Sequence, residues 1–244
     1  MQSNSFINNK DPSILKVSVI SALLVGCSNT GDMEYQPLGE ALSNKQLGQN
    51  VTLAILSFSD KRPPVKGFAY SKKLATKPKK NLVGIFFGAF KIRLRKLHSN
   101  QAISLAVVEA LSNLFKANGF TVIRYRGISD FSSLPEERLV VKGQINEFWM
   151  NGYPGGPGTS PSIEAIIDIE LIIIDTKYHQ TIWTGRIENH RKIGRNRGIF
   201  TGTHKIFLFL NKAFSDAIEK AWIENGMLNA LSAIDKRHFS KKAY

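Results

Sequence analysis

The sequence has few cysteines, few acidic residues and no long hydrophobic run. One cysteine among 244 residues cannot form an intramolecular disulfide, which excludes a disulfide-stapled scaffold. Only 19 aspartates and glutamates oppose 33 lysines and arginines, which leaves a formal net charge of +14. No apolar run reaches the ~18–20 residues of a membrane-spanning helix, which excludes a polytopic membrane protein. A hydrophobic fraction of 43% still predicts a folded chain rather than a disordered one.

The motifs of common enzyme sites are also missing from the sequence. It contains no P-loop, no G-x-G-x-x-G fingerprint and no G-x-S-x-G elbow. The histidines have no metal-ligand spacing; they are His98, His179, His190, His204 and His238. We therefore expect no catalytic residue, no cofactor and no metal site.

The amino-terminal segment has the pattern of an export signal. Lys10 and Lys16 precede a short apolar stretch at residues 17–25, which is typical of a signal peptide. The stretch ends in the four residues Leu24, Val25, Gly26 and Cys27. This ending resembles the lipobox of bacterial lipoproteins. The competing interpretation is a buried helix or strand with an incidental cysteine.

The lipobox resemblance implies a processing route and a compartment. A signal peptidase would recognise Leu24, Val25 and Gly26, remove residues 1–26, and leave Cys27 carrying fatty acyl chains such as palmitate. Cleavage would change the net charge only from +14 to +13, because it removes Lys10, Asp11 and Lys16. Ser28, in place of an aspartate, resembles the outer-membrane sorting class. We expect a location in the bacterial cell envelope, at the outer membrane and facing the periplasm.

Composition divides the remaining chain into three parts. Residues 27–50 carry Ser, Asn, Gly, Gln and Pro with little apolar periodicity, which predicts an acylated cysteine followed by a flexible tether. Residues 51–235 predict a single domain, and residues 236–244 a basic tail.

Hydrophobic periodicity predicts an α+β domain, with two main helices packed on one face of a mostly antiparallel sheet. Ile163 to Asp175 alternates most clearly between apolar and polar residues, and we expect it to form a hairpin with residues 181–193. The predicted helices cover about 100–118 and 204–225, with a short helical piece at 227–235. The other predicted strands cover residues 51–58, 82–90, 120–126 and 138–150, and residues 152–158 read as a loop.

The first strand ends in Ser59-Asp60-Lys61-Arg62, and a helix, Gly119-Phe120 and a hairpin follow. Together with the lipobox, this order resembles the YajG-like family of small bacterial lipoproteins, whose first strand ends in an Asp-x-Arg turn. The resemblance implies an envelope location and an α+β fold rather than an activity. We expect Asp60 and Arg62 to form an ion pair that closes the turn. We also expect Trp149 and Trp183 to belong to the core rather than to line a groove.

Glu164, Asp168 and Glu170 lie on the polar face of the most regular strand. Asp168 and Glu170 would stand about 7 Å apart, a separation that suits acid–base work on a sugar. Alternation alone also produces a row of solvated carboxylates on such a face. A hydrolase acting on envelope glycan is therefore kept as an alternative hypothesis.

Cationic residues cluster at several places, and we expect some to form a patch for an anionic partner. The candidate residues are Lys72, Lys73, Lys77, Lys79, Lys80, Arg93, Arg95, Arg191, Arg195 and Arg197. The partner could be anionic lipid, a wall polymer or an acidic envelope protein. Export argues against nucleic acid. The main hypothesis is a lipid-anchored, non-catalytic binding or assembly module, and an auxiliary lipoprotein of an envelope transport system is the other non-catalytic alternative.

Overall fold

The computed structural model describes residues 29–36, 47–63, 79–87, 93–127, 139–153, 161–194 and 203–239. The predicted signal peptide, the lipobox and Cys27 lie outside these residues. The described elements are, in chain order, β1 (Asn29–Gly31), β2 (Thr52–Ile55), β3 (Ser59–Asp60), β4 (Leu82–Phe87), β5 (Arg93–Ser99), α1 (Ile103–Ala117), β6 (Thr121–Arg124), β7 (Leu139–Tyr153), β8 (Ser162–Asp175), β9 (Gln180–Gly194), α2 (Thr203–Ile223) and α3 (Met227–Phe239).

All the described strands form one sheet around the long strand β7. On one side of β7, β8 and then β9 pair in antiparallel ladders that run almost the full length of the strands. On the other side, β2, β3 and β4 pair with β7 one after another in short parallel stretches. β6 lies beyond β2, while β5 and then β1 lie beyond β4. The predicted α+β class is confirmed, and the sheet is mixed because its short strands join in parallel.

The helices and one face of the sheet enclose a single main core. Alternate residues of β8 from Ile163 to Ile173 are almost completely buried, as strand alternation predicts. Phe148 of β7 meets Phe214 of α2 edge to face, with ring centroids 5.2 Å apart. Phe115 of α1 meets Trp222 of α2 in the same way at 5.9 Å. Burying each of these large side chains stabilises the fold by about 1.5–3 kcal/mol.

Glycines end two helices where the sequence predicts. Gly119 follows α1 with φ of 87°, and Gly226 follows α2 with φ of 77°. This left-handed conformation has little steric cost for glycine, because it lacks a Cβ atom. α3 is longer than predicted and extends to Phe239, so the boundary placed at residue 236 falls inside a helix. No helix in the described part of the chain is long and apolar enough to cross a membrane.

The predicted flexible tether at residues 27–50 is wrong for two stretches. Residues 29–36 form β1 and its continuation, in which Met33 is buried. Leu47 is buried as well, and Gly48 donates its backbone N–H to the carbonyl of Asn118 at 2.9 Å. Short stretches without periodicity can pack when their partners lie far along the sequence, and composition does not reveal this. Gly152, expected in a loop, belongs to β7, and residues 154–158 of that expected loop lie outside the described residues.

Both tryptophans in question are buried. Trp183 is 8% exposed and donates its indole N–H to the carbonyl of Asn225 at 2.9 Å. Trp149 is 9% exposed and lies 4.8 Å from the guanidinium carbon of Arg62, which covers its ring. The expectation that both tryptophans pack in the interior is confirmed.

The predicted Asp60–Arg62 ion pair is confirmed, and it does more than close a turn. The side chain of Arg62 is fully buried, and it donates two hydrogen bonds of 2.9 and 2.8 Å to the carboxylate of Asp60. The same guanidinium donates to the carbonyl of Leu82 at 2.6 Å and to that of Phe148 at 3.4 Å. It therefore joins β3, β4 and β7. β3 and β4 pair with β7 one after another, and no hairpin turn connects any two of these three strands. A planar fork of donors suits this task better than the ammonium of lysine.

Arg62→Ala should lower the free energy of unfolding by about 3 kcal/mol, because it leaves Asp60 and the buried carbonyl of Leu82 without their donor. The free energy of unfolding of Arg62→Lys should lie between those of the wild type and Arg62→Ala. Lysine keeps the positive charge but loses the planar set of donors. Lys61→Ala, an exposed neighbour, is the control and should change stability by less than about 0.5 kcal/mol. Urea unfolding followed by tryptophan fluorescence measures all three. Equal losses for Arg62→Ala and Lys61→Ala would contradict this role.

Candidate functional site

Asn29 follows Cys27 by only two residues and is already part of the sheet. Asn29, Thr30 and Gly31 pair in parallel with Leu97, His98 and Ser99 of β5. The carbonyl of Gly31 also accepts the backbone N–H of Asn100 at 3.0 Å. Residues 29–31 of the expected tether therefore form a strand at the edge of the described sheet.

Residues 31–36 then run along α2 in the direction of the helix. Gly31 lies so close to the ring of Phe207 that a Cβ atom there would overlap it. Further along, Asn211 donates its amide to the carbonyl of Asp32 at 3.2 Å. The hydroxyl of Ser215 accepts the backbone N–H of Gln36 at 3.0 Å. Contacts at successive turns of one helix fix both the position and the direction of this segment.

The docking of residues 29–36 changes the ionisation of Tyr35. Burial raises the pKa of the Tyr35 phenol to about 12, and the carboxylate of Glu219 on α2 adds to the rise. A phenol on a solvated segment would titrate near 10 instead, so the pKa of Tyr35 offers a test of the docking.

A cavity of about 420 Å³ separates part of this segment from the start of α2. Asp32, Glu34 and His204 line it, a set of side chains that could suggest a metal. However, no three His, Cys, Asp or Glu side chains are placed to hold a metal ion anywhere in the described residues. The cavity carries no further assignment.

One end of the domain is the end at which β1 begins, and it is called the β1 end here. It comprises residues 29–31, 93–96, 192–194 and 203–206. The sheet register shows that these strand segments belong together. Asn29 is level with Leu97, and one step further toward Cys27 lie Lys96 on β5 and Lys192 on β9. Both lysines are exposed. The first turn of α2 adds Lys205, also exposed, which no run of charges in the sequence indicated.

The described residues of the predicted cationic patch lie at two ends of the β4–β5 pair. Lys79 and Lys80 are exposed just before β4, near His98, while Arg93 and Arg95 are positions of β5 that pair with the other end of β4. Arg191 is elsewhere, on β9, where it forms an ion pair with Asp216 of α2 at 3.0 Å. The remaining predicted patch residues lie outside the described residues; they are Lys72, Lys73, Lys77, Arg195 and Arg197.

His98 senses the positive potential between these strands. Burial lowers the pKa of its imidazole, and the charges of Lys79 and Lys96 lower it further. Lys79, just before β4, and Lys96, on β5, therefore act on the same imidazole.

The carboxylates considered for catalysis lie on the open face of the sheet and are engaged by neighbours. Glu164 meets the imidazole of His190 at 2.7 Å. Glu170 accepts hydrogen bonds from Gln144 at 2.6 Å and from Arg186 at 3.0 Å. Arg186 also lies 3.7 Å from Asp168. Cross-strand pairs of this kind are ordinary features of a solvated sheet face.

The electrostatics of Glu170 argue against the acid–base hypothesis. The hydrogen bond from Arg186 is the largest of the effects that lower the pKa of Glu170. A glycosidase needs one carboxyl with a raised pKa to donate a proton, and Glu170 is shifted the other way. Asp168 borders an open cavity of about 740 Å³, but Glu170 is not among the residues that line it. The two carboxylates therefore do not face one another across a shared cleft.

Comparisons with known proteins give distant structural likenesses. No family model matches the sequence, and neither does any curated protein. A protein of the DUF330 family from Xanthomonas campestris is 9% identical with a TM-score of 0.45, covering 87% of this chain and 99% of its own. A neuraminyllactose-binding hemagglutinin homologue from Helicobacter pylori is 13% identical with a TM-score of 0.43, covering 84% and 100%. Lipoprotein GNA1162 from Neisseria meningitidis is 9% identical with a TM-score of 0.34, covering 70% and 99%. At these values the likeness assigns neither a family nor a function.

A spectrophotometric titration of Tyr35 tests the docking of residues 29–36. The absorbance difference between the wild type and Tyr35→Phe isolates one phenol, and its midpoint should lie near pH 12. A midpoint near 10, the value of a free tyrosine, would show that the segment is solvated instead.

An NMR titration of His98 tests the effect of the lysines on its imidazole. Its pKa should lie below the usual value of about 6.5, and Lys96→Gln should raise it. Because the folded pKa is lowered, His98 should also cost the fold stability as the pH falls through the range below 6.5. Lys212→Gln, on α2 and beside Asp216, is the control and should leave the midpoint unchanged. An unchanged pKa of His98 in Lys96→Gln would contradict the proposed effect of this lysine on the imidazole.

Proposed function

We propose that this protein is a bacterial lipoprotein, anchored to a membrane of the cell envelope through acyl chains on Cys27. The observation that carries the proposal is the lipobox-like sequence Leu24 to Cys27 at the end of a short apolar stretch. β1 begins at Asn29, so cleavage before Cys27 would leave the whole of β1 in the mature protein.

Acylation at Cys27 would be sufficient to hold the domain at a bilayer. Each buried methylene contributes about 0.8 kcal/mol, so two or three chains anchor a protein far more firmly than one. Ser28 after the cysteine supports the outer membrane, with the domain in the periplasm. Membership of the YajG-like family remains a prediction from the sequence.

The domain itself is proposed to act as a non-catalytic binding or assembly module. Two features support this role. The carboxylates of the open sheet face are occupied by Arg186 and His190, and the lowered pKa of Glu170 does not suit a proton donor. Exposed lysines at Lys79, Lys80 and Lys96 provide a surface for an anionic partner. An auxiliary lipoprotein of a transport system would use the same anchor and differ only in its partner.

Replacing Cys27 tests the anchor. Cys27→Ala should lose incorporated palmitate and accumulate as the longer, uncleaved precursor, because the thiol is the acyl acceptor and cleavage follows its acylation. Ser28→Ala is the matched control and should be acylated and cleaved like the wild type. Globomycin should make the wild type accumulate as an acylated precursor. Processing of Cys27→Ala to the same mature length as the wild type would exclude the lipoprotein assignment.

A further inference from the structure

The distance between Cys27 and the folded domain is fixed by the chain itself. Consecutive Cα atoms are 3.80 Å apart, so the Cα atom of Cys27 can lie at most about 7.6 Å from that of Asn29. Asn29 is held in the sheet by β5, and the residues that follow it are held by α2. A group attached to Cys27 therefore stays beside the β1 end of the domain and cannot move away from it.

The direction of the chain shows which end of the domain this is. Residues 31–36 run parallel to α2, with Gly31 beside Phe207 and Gln36 beside Ser215. Asn29 therefore lies toward the start of α2, at Thr203. The first turns of α2 expose His204 and Lys205, and Leu208 is 42% exposed beside them. A lysine next to an exposed leucine suits the boundary between headgroups and acyl chains.

Cationic positions occur at the β1 end of the sheet. The described strands and α2 hold Arg93, Arg95, Lys96, Lys192 and Lys205 there. The acidic residue level with Lys192 is Glu164, which His190 contacts, and Asp32 and Glu34 line the cavity beside His204. The turn between β8 and β9 lies at the opposite end, about 45 Å away along the strands, and Arg124, Lys142 and Lys177 are cationic near it, so the short link rather than a charge difference selects the β1 end.

We propose that the domain sits directly on an anionic phospholipid bilayer, with the β1 end against the headgroups and the turn at residues 176–179 pointing away. This inference rests on the proposed acylation of Cys27. The short link brings the β1 end to the bilayer, and the cations there meet the negative surface potential of anionic lipids. An acidic protein could bind the same cations. Acyl chains on Cys27 would, however, place the bilayer next to the β1 end, where such a protein would have to bind.

The test uses the acylated full-length product in vesicles of phosphatidylcholine mixed with phosphatidylglycerol. Acylation consumes the thiol of Cys27, the only cysteine in the sequence, so an introduced cysteine is the only free thiol. A fluorophore is placed at His204→Cys near the β1 end, and at Tyr178→Cys in the distant turn, which is 50% exposed. Nitroxide-bearing lipid should quench the label at position 204 several-fold more strongly than the label at position 178.

A spacer variant shows whether the short link is the cause. Inserting 20 Gly and Ser residues between Ser28 and Asn29 creates a coil of about 25 Å. Quenching at position 204 should then fall toward that at position 178, while the protein stays on the vesicles. In vesicles that contain phosphatidylglycerol this fall should be partial, and in vesicles of phosphatidylcholine alone it should be complete, because charge is then the only attraction left between the β1 end and the bilayer.

The possible failures are distinguishable. Equal quenching at positions 204 and 178 in vesicle-bound, acylated protein would overturn the orientation and leave the lipoprotein assignment intact. Quenching at position 204 of the spacer variant that is equal with and without phosphatidylglycerol would show that the β1 end does not bind anionic lipid. Protein recovered without acyl chains and off the vesicles would overturn the proposed function itself.

Discussion

The pairing of β1 with β5 is the constraint on which the functional account depends. Backbone hydrogen bonds hold the chain in the sheet from Asn29, and α2 holds the residues that follow through Asn211 and Ser215. A strand at this position leaves no slack between the domain and the residue before Ser28. Any group on Cys27 would therefore orient the whole domain and not merely retain it near a surface.

The rest of the fold makes that orientation meaningful because it is one connected body. β7 carries β8 and β9 on one side and three short parallel strands on the other. Those short strands have no covalent turn to keep them in register, and the buried fork of Arg62 joins two of them to β7. The core of α1, α2 and the sheet then ties both sides together through Phe115, Phe148 and Trp222. The orientation of β1 therefore determines the orientation of the distant hairpin turn, because packed elements connect them.

Local patterns predicted the parts of the fold that local physics determines. Alternation along β8, the glycines after α1 and α2, and the Asp60–Arg62 pair all follow from neighbours within a few residues. The docking of residues 29–36 did not, since Gln36 finds its partner 179 positions further along the chain. Cationic positions were predictable only where charges are consecutive, as at Lys79 and Lys80. Lys192 and Lys205 belong to the β1 end through the fold, because β9 ends and α2 starts at the end of the sheet where β1 starts.

Hydrogen–deuterium exchange of the native, membrane-extracted protein, read by mass spectrometry on its amino-terminal peptide, tests the central claim most directly. The account predicts a peptide that begins at Cys27 with the mass of added acyl chains, and slow exchange of the Gln36 amide, which donates to Ser215 of α2. A peptide that continues upstream of residue 27 without acyl mass would contradict the account, and so would an acylated peptide whose amides exchange at once.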